Sequence, residues 1–168
     1  MKGKNQSANK KIKNATRLEI DGYKFRSKLE AFTYSKLKEN GINDFAYETI
    51  KFVLQPKFTS QCTSMESYEK KDRDTGFKTR GFSEAKQDIR EITYLPDFVC
   101  VDPVAKTGWI IEDKGFANSG WVNKWKNFKY FLEQEGFKLS LYLPNNQGNV
   151  LKAIEDIKQK YYNGNGTD

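Results

Sequence analysis

Apolar residues along this chain fall into short alternating runs and a few helical stripes, separated by polar stretches. Residues 15–25 alternate (Leu18, Ile20, Tyr23, Phe25) around Asp21-Gly22, which predicts a short hairpin with an Asp-Gly turn. A helix is predicted over about 28–40, capped by Ser27 and stopped by Gly41. Strands are predicted at 44–49 and 50–54, ending at Gln55-Pro56. Residues 57–90 show no such period. They form a long polar stretch carrying Lys70, Lys71, Arg73, Lys78, Arg80 and Lys86, read as a loop and a substrate-contacting flap.

Two apolar runs rich in β-branched and aromatic residues, 92–101 and 109–112, flank a segment punctuated by Pro103 and Gly108. They predict a hairpin over about 91–113. Trp121, Trp125, Phe128 and Leu132 recur at i, i+4, i+7 and i+11, the buried stripe of a helix over 120–136. A strand at 139–143 and a helix at 149–162 follow, the latter with Leu151, Ile154, Ile157 and Tyr161 as its apolar stripe. The order is α-β-β-β-α-β-α, an α/β chain.

At 168 residues the chain reads as one domain, 17–163, between a basic arm at 1–16 and a short flexible tail at 164–168. The charge is uneven. Of the formal +7, +6 lies within residues 1–17, where Lys2, Lys4, Lys10, Lys11, Lys13 and Arg17 meet no acid. Such an arm reads as disordered and drawn to polyphosphate, with Lys10, Lys11, Lys13 and Arg17 as nucleic-acid contacts. Lys124 and Lys126 on the 120–136 helix are further phosphate candidates, against the plainer reading of a solvated face. No apolar run approaches the ~20 residues that span a bilayer, and no secretory signal is read at the N-terminus, so a cytoplasmic protein without a membrane partner is expected. Histidine is absent, which excludes imidazole-based acid–base chemistry. The two cysteines, Cys62 and Cys100, are too few for a thiolate zinc site. Carboxylates, lysines or tyrosines must carry any chemistry.

The candidate chemistry sits at the base of the 91–113 hairpin: Pro96-Asp97 on one side and Glu112-Asp113-Lys114 on the other. A turn centred on Val104 and Ala105 sets Asp97 directly opposite Glu112, on one face. Lys114, two residues on, leaves the strand on that same face, and Asp113 on the other. A one-residue slip would instead bring Asp113 opposite Asp97, so both remain candidate metal ligands. Two acids and a lysine on one face suit Mg²⁺, with Mn²⁺ as a substitute, because hard cations take carboxylate oxygens, water and phosphate. Lys114 could then hold an attacking water or offset phosphate charge. The competing reading is a solvated Glu-x-Lys charge face. Glu30 is a fourth acid with two readings. Ser27-x-x-Glu30 fits a capping box, yet Glu30 shares its helical face with Tyr34 and Leu37, an inward direction.

With these residues, the chain resembles the PD-(D/E)XK nuclease superfamily, of restriction-endonuclease-like fold with an αβββαβ core. Pro96-Asp97 and Glu112-Asp113-Lys114 match its motif halves, and Glu30 stands where members carry an acid on the first core helix. The runs Phe25-x-Ser27-Lys28-x-Glu30-Ala31, Gln55-Pro56, Tyr94-x-Pro96-Asp97-Phe98 and Glu112-Asp113-Lys114-Gly115 resemble small phage-encoded endonucleases over about residues 20–143. The resemblance implies a mixed sheet flanked by helices and Mg²⁺-dependent hydrolysis of DNA phosphodiesters, including structured or branched DNA. It also implies that Asp97 and Glu112 hold the metal, with the Asp113 carbonyl, that Lys114 assists the water, and that Glu30 assists. A homodimer is the natural assembly for cutting two strands. The rivals are a DNA-binding or virion-associated protein that keeps the fold without catalysis, and a nuclease directed at RNA.

Overall fold

The computed structural model describes residues 18–114 and 119–163. The arm residues Lys10, Lys11, Lys13 and Arg17, and the tail from 164, lie outside the described residues, as does Gly115. In chain order the elements begin with β1 (Leu18–Ile20), β2 (Tyr23–Phe25), α1 (Lys28–Glu39), β3 (Ala46–Tyr47), β4 (Phe52–Gln55) and β5 (Phe58–Thr59). They continue with β6 (Met65–Lys71), β7 (Lys78–Glu84), β8 (Asp88–Ile89), β9 (Ile92–Tyr94), β10 (Phe98–Asp102) and β11 (Thr107–Ile111). The last are α2 (Ser119–Gln134), β12 (Lys138–Tyr142) and α3 (Gln147–Ile157), which runs into a π-helical turn at Lys158–Tyr162. The chain gathers into two compact units. One is Met1–Ile50 with Leu95–Asp168; the other, Lys51–Tyr94, is inserted into it.

The first unit is a mixed α/β structure. The expected hairpin forms as β1 and β2, and Asp21 (φ 52°) and Gly22 (φ 80°) both take the left-handed conformation that a tight Asp-Gly turn requires. A four-stranded sheet runs in the order β12-β11-β10-β3. Strands β3, β10 and β11 are antiparallel neighbours, whereas β12 lies parallel to β11. Parallel neighbours need a crossover connection, and α2 supplies it.

Alternation along β10 and β11 divides their side chains. Phe98, Trp109 and Ile111 join a buried cluster with Tyr34 and Leu37 of α1 and Val150, Ile154 and Ile157 of α3. Val99 and Ile110 are also buried but point to the other face. Trp125, Phe128 and Leu132, the expected stripe of α2, are buried as well. On α3 the stripe is corrected: Leu151 is exposed, and Val150 and Ala153 are buried with Ile154 and Ile157. The helix begins two residues earlier than expected, capped by Asn146, whose side chain accepts from Asn149 N–H.

A second correction concerns the run 92–101. It is not one strand: β9 pairs with β4, and pairing passes to β10 only after Leu95-Pro96-Asp97. Pro96 has no N–H to give a ladder, so pairing breaks there.

The third correction is the largest. Residues 57–90 are strand-built, not a loop: β5 pairs with β8, and β6 with β7 in seven consecutive pairs from Met65↔Glu84 to Lys71↔Lys78. No apolar alternation announced this hairpin because both of its faces are solvent-exposed. Among the described residues no helix is long and apolar enough to cross a membrane.

Candidate active site

The hairpin register is the one the turn predicted. Phe98 faces Ile111, Cys100 faces Trp109 and Asp102 faces Thr107, so the next position brings Asp97 opposite Glu112. Asp102 fixes the turn by accepting from the N–H groups of Val104 (2.8 Å) and Ala105 (2.9 Å). Strand assignment ends at Ile111, yet the backbone beyond it stays extended and held on both sides. Glu112 N–H donates to Tyr142 O (3.0 Å) and Lys114 N–H to Pro144 O (3.0 Å), continuing the parallel side. Asp113 N–H, pointing the other way, donates to Asp97 Oδ2 at 2.7 Å. The carboxylate thus takes the place of a ladder carbonyl from the segment that leads into β10. The Asp97 carbonyl in turn accepts from Glu48 N–H (2.9 Å), which ties it to the end of β3.

This construction buries three acids at one end of the sheet: Asp97, Glu112 and Asp113, all under one-tenth exposed. Glu30 of α1, equally buried, is the fourth. Burial raises the Asp97 carboxyl to about 8, reinforced by the charges of Glu112 and Glu30 and opposed by the Asp113 N–H. Asp113 is raised to about 7, again chiefly by burial, with Glu30 and Glu112 adding to it. Thr33 Oγ1 lies beside Asp113 and eases its charge. Among the described residues, however, no hydrogen bond of good geometry reaches either Asp113 oxygen.

Lys114 does lie beside Glu112, with Nζ 3.8 Å from Oε1. Asp113 lies near Thr33 and Glu30 of α1 and near Glu112. Glu30 is buried, and its capping bonds differ in one point from the expected box. Ser27 Oγ caps α1 by accepting from Glu30 N–H (3.1 Å), but Glu30 Oε2 returns its bond to Arg26 N–H (3.0 Å), not to the cap residue. The same Oε2 accepts from the Tyr47 hydroxyl at 2.7 Å, inside the protein. Lys124 and Lys126 are exposed on α2. Gln55 belongs to β4, in the second unit.

Four contributors were not singled out from sequence. Tyr47 anchors Glu30, and its hydroxyl is made a far weaker acid by burial and by that carboxylate. Thr33 adjoins Asp113. Glu48 takes a left-handed backbone (φ 47°) and pairs with Arg26 at 3.2 Å. Trp121 was expected in a core stripe. It is instead half-buried, its Nε1–H donating to Glu112 Oε1 (3.2 Å) while its ring lies 5.0 Å from Lys114 Nζ. The i, i+4, i+7 spacing placed Trp121 on the right side of α2; only the first-turn position, ahead of the core, hinted at a different use.

Among the described residues no group of three or more Asp, Glu or Cys side chains is placed to hold a metal ion. The donor set nonetheless suits a hard divalent cation. It is all oxygen, it brings four buried carboxyls to one end of the sheet, and among the described residues the two buried Asp113 oxygens accept no hydrogen bond of good geometry. A family model described as "Protein of unknown function (DUF1064)" matches residues 10–142, and the chain belongs to that family. No curated protein matches it, and no solved structure does.

Proposed function

We propose that this family member is a Mg²⁺-dependent endonuclease that hydrolyses DNA phosphodiesters at the acid cluster. The observation that carries the reading is the group of buried carboxylates that the fold crowds together, two of them with strongly raised proton affinity. A buried charge without compensation is costly, and a divalent cation is the compensation this donor set fits. The order α1-β3-β10-β11-α2-β12, with the acids where β10 and β11 meet, also supports the restriction-endonuclease-like reading.

In this proposal Asp97 and Glu112 hold the ion with the main-chain carbonyl of Asp113, and Glu30 assists from α1. When bound, the ion would polarise a phosphoryl oxygen and acidify a water. Lys114 orients that water and offsets charge on the phosphate. Its ammonium is positioned for this by Glu112 and by the face of Trp121. Asp113 N–H keeps Asp97 Oδ2 fixed, and in this proposal Oδ1 is the oxygen offered to the ion.

Purified protein should nick or cut plasmid or branched DNA with Mg²⁺ or Mn²⁺ and stop with chelator. Asp97→Ala should reduce cleavage to background. A variant that cuts as fast as the parent overturns the assignment. A non-catalytic DNA-binding role has one observation in its favour, the lack of a closed metal shell among the described residues. Calorimetric titration separates the two: a saturable Mg²⁺ site lost in Asp97→Asn belongs to the nuclease.

A further inference from the structure

The β6–β7 ribbon has no core to serve. Both strands are exposed along their whole length, only Gly81 being half-covered. An isolated two-stranded hairpin is marginal in water, so its order must come from local devices. Three are present. Glu69 clamps the facing strand through Lys78 (2.6 Å) and Arg80 (2.8 Å). The Tyr68 ring packs against Gly81, where an added Cβ would come within 2.6 Å of its hydroxyl end and push the ring aside. At the tip, Asp72 Oδ1 accepts from the N–H groups of Asp74 (3.1 Å) and Thr75 (2.7 Å) and from the Thr75 hydroxyl (2.7 Å). Asp72 N–H closes the turn by donating to Phe77 O (2.8 Å).

What this ribbon displays is polarised. Its distal part, residues 69–80, carries Lys70, Lys71, Arg73, Lys78 and Arg80 against Glu69, Asp72 and Asp74, a net +2. Its root carries only Glu66 and Glu84, a net −2. Lys71 and Lys78 are directly opposed, and Glu69 pairs with Lys78 across the ribbon. Asp72 is committed to the turn and Glu69 to the clamp. Among the described residues, Lys71 and Arg73 are in no ion pair. Phe77 stands beside them at the tip, 71% exposed.

We propose that the tip of this ribbon docks on duplex DNA, entering the major groove with Lys71 and Arg73 on the flanking phosphates. Seven paired residues span about 24 Å, and a B-form major groove about 12 Å wide admits a two-stranded ribbon. The A-form major groove is too deep and narrow for it, so RNA duplexes are not the partner. Phe77 supplies an apolar contact to base edges or sugars at the end of the ribbon. This deepens the DNA reading above and names a contact outside the acid cluster.

The test is fluorescence anisotropy with a labelled 30-base-pair DNA duplex in EDTA, so that no cleavage intervenes. Lys71→Gln/Arg73→Gln should bind more weakly, and its log K against log salt slope should fall by about 2 relative to the parent. Lys51→Gln serves as control, because Lys51 is paired with Glu91 at 3.2 Å and lies off the ribbon; its slope should stay at the parental value. A double variant with an unchanged slope, or an equal fall in the control, overturns the ribbon assignment. So does tighter parental binding to an RNA duplex of the same sequence. Cleavage with Mg²⁺ is scored separately: binding through the ribbon without cutting rejects the nuclease alone, and cutting with an unaltered double-variant slope rejects the ribbon alone.

Discussion

The Asp113 N–H donates to Asp97 Oδ2 across 2.7 Å, joining the two halves of the acidic motif by a backbone-to-side-chain bond. That bond favours the charged form of Asp97, but burial and the neighbouring Glu112 and Glu30 outweigh it and hold the carboxyl near 8. In an unfolded chain an aspartate titrates near 4. Between those values the folded protein binds more protons than the unfolded one, so stability falls as pH rises. Asp113, at about 7, adds to the same slope. In EDTA the melting temperature of the parent should drop from pH 5 to pH 8 and level off above that. Asp97→Asn should show a shallower drop. Asp72, Asp102 and Asp156 shift the opposite way, and the parent-minus-variant difference cancels them. A difference that is flat across this window, or that runs the other way, refutes the burial argument.

Trp121 touches both Glu112 and Lys114, one through its N–H and one through its ring face. Trp121→Phe keeps the face and loses the donor, while Trp121→Leu loses both. Groups that orient a metal-binding side chain typically matter by about 10–100-fold. Mg²⁺ affinity by calorimetry should therefore weaken to that extent in Trp121→Phe. Cleavage at saturating Mg²⁺ should fall further only in Trp121→Leu. Equal, parental values in both variants would leave Trp121 a packing residue.

The Tyr47 hydroxyl is the buried donor that secures Glu30 at 2.7 Å. Tyr47→Phe keeps the ring contacts with Phe25 and Phe98 but removes that donor. Hydrogen bonds to charged groups contribute about 1.5–3 kcal/mol, so urea denaturation should show a loss in that range. Because Glu30 would then be less well compensated, added Mg²⁺ should restore more stability to Tyr47→Phe than to the parent. An unchanged midpoint would mean that Glu30 finds another donor.

Much of this was legible in the chain itself. Alternation about Val104 and Ala105 fixed which residue faces which, because hairpin register follows from turn position and from the burial of one strand face. Helical spacing located α1, α2 and the buried faces of Trp125, Phe128 and Leu132. Local order thus determined the motif and its pairing. The tertiary structure decided everything that depends on elements distant in sequence. Glu30 meets Tyr47 only because α1 and β3 are packed beside the same strand end. Trp121 reaches Glu112 only because the β11-to-β12 crossover brings the first turn of α2 back over the site. The ribbon at 65–84 was invisible for the opposite reason. With no buried face it has no hydrophobic period, and its strands are specified by cross-strand charge pairs and a turn that only pairing can bring together.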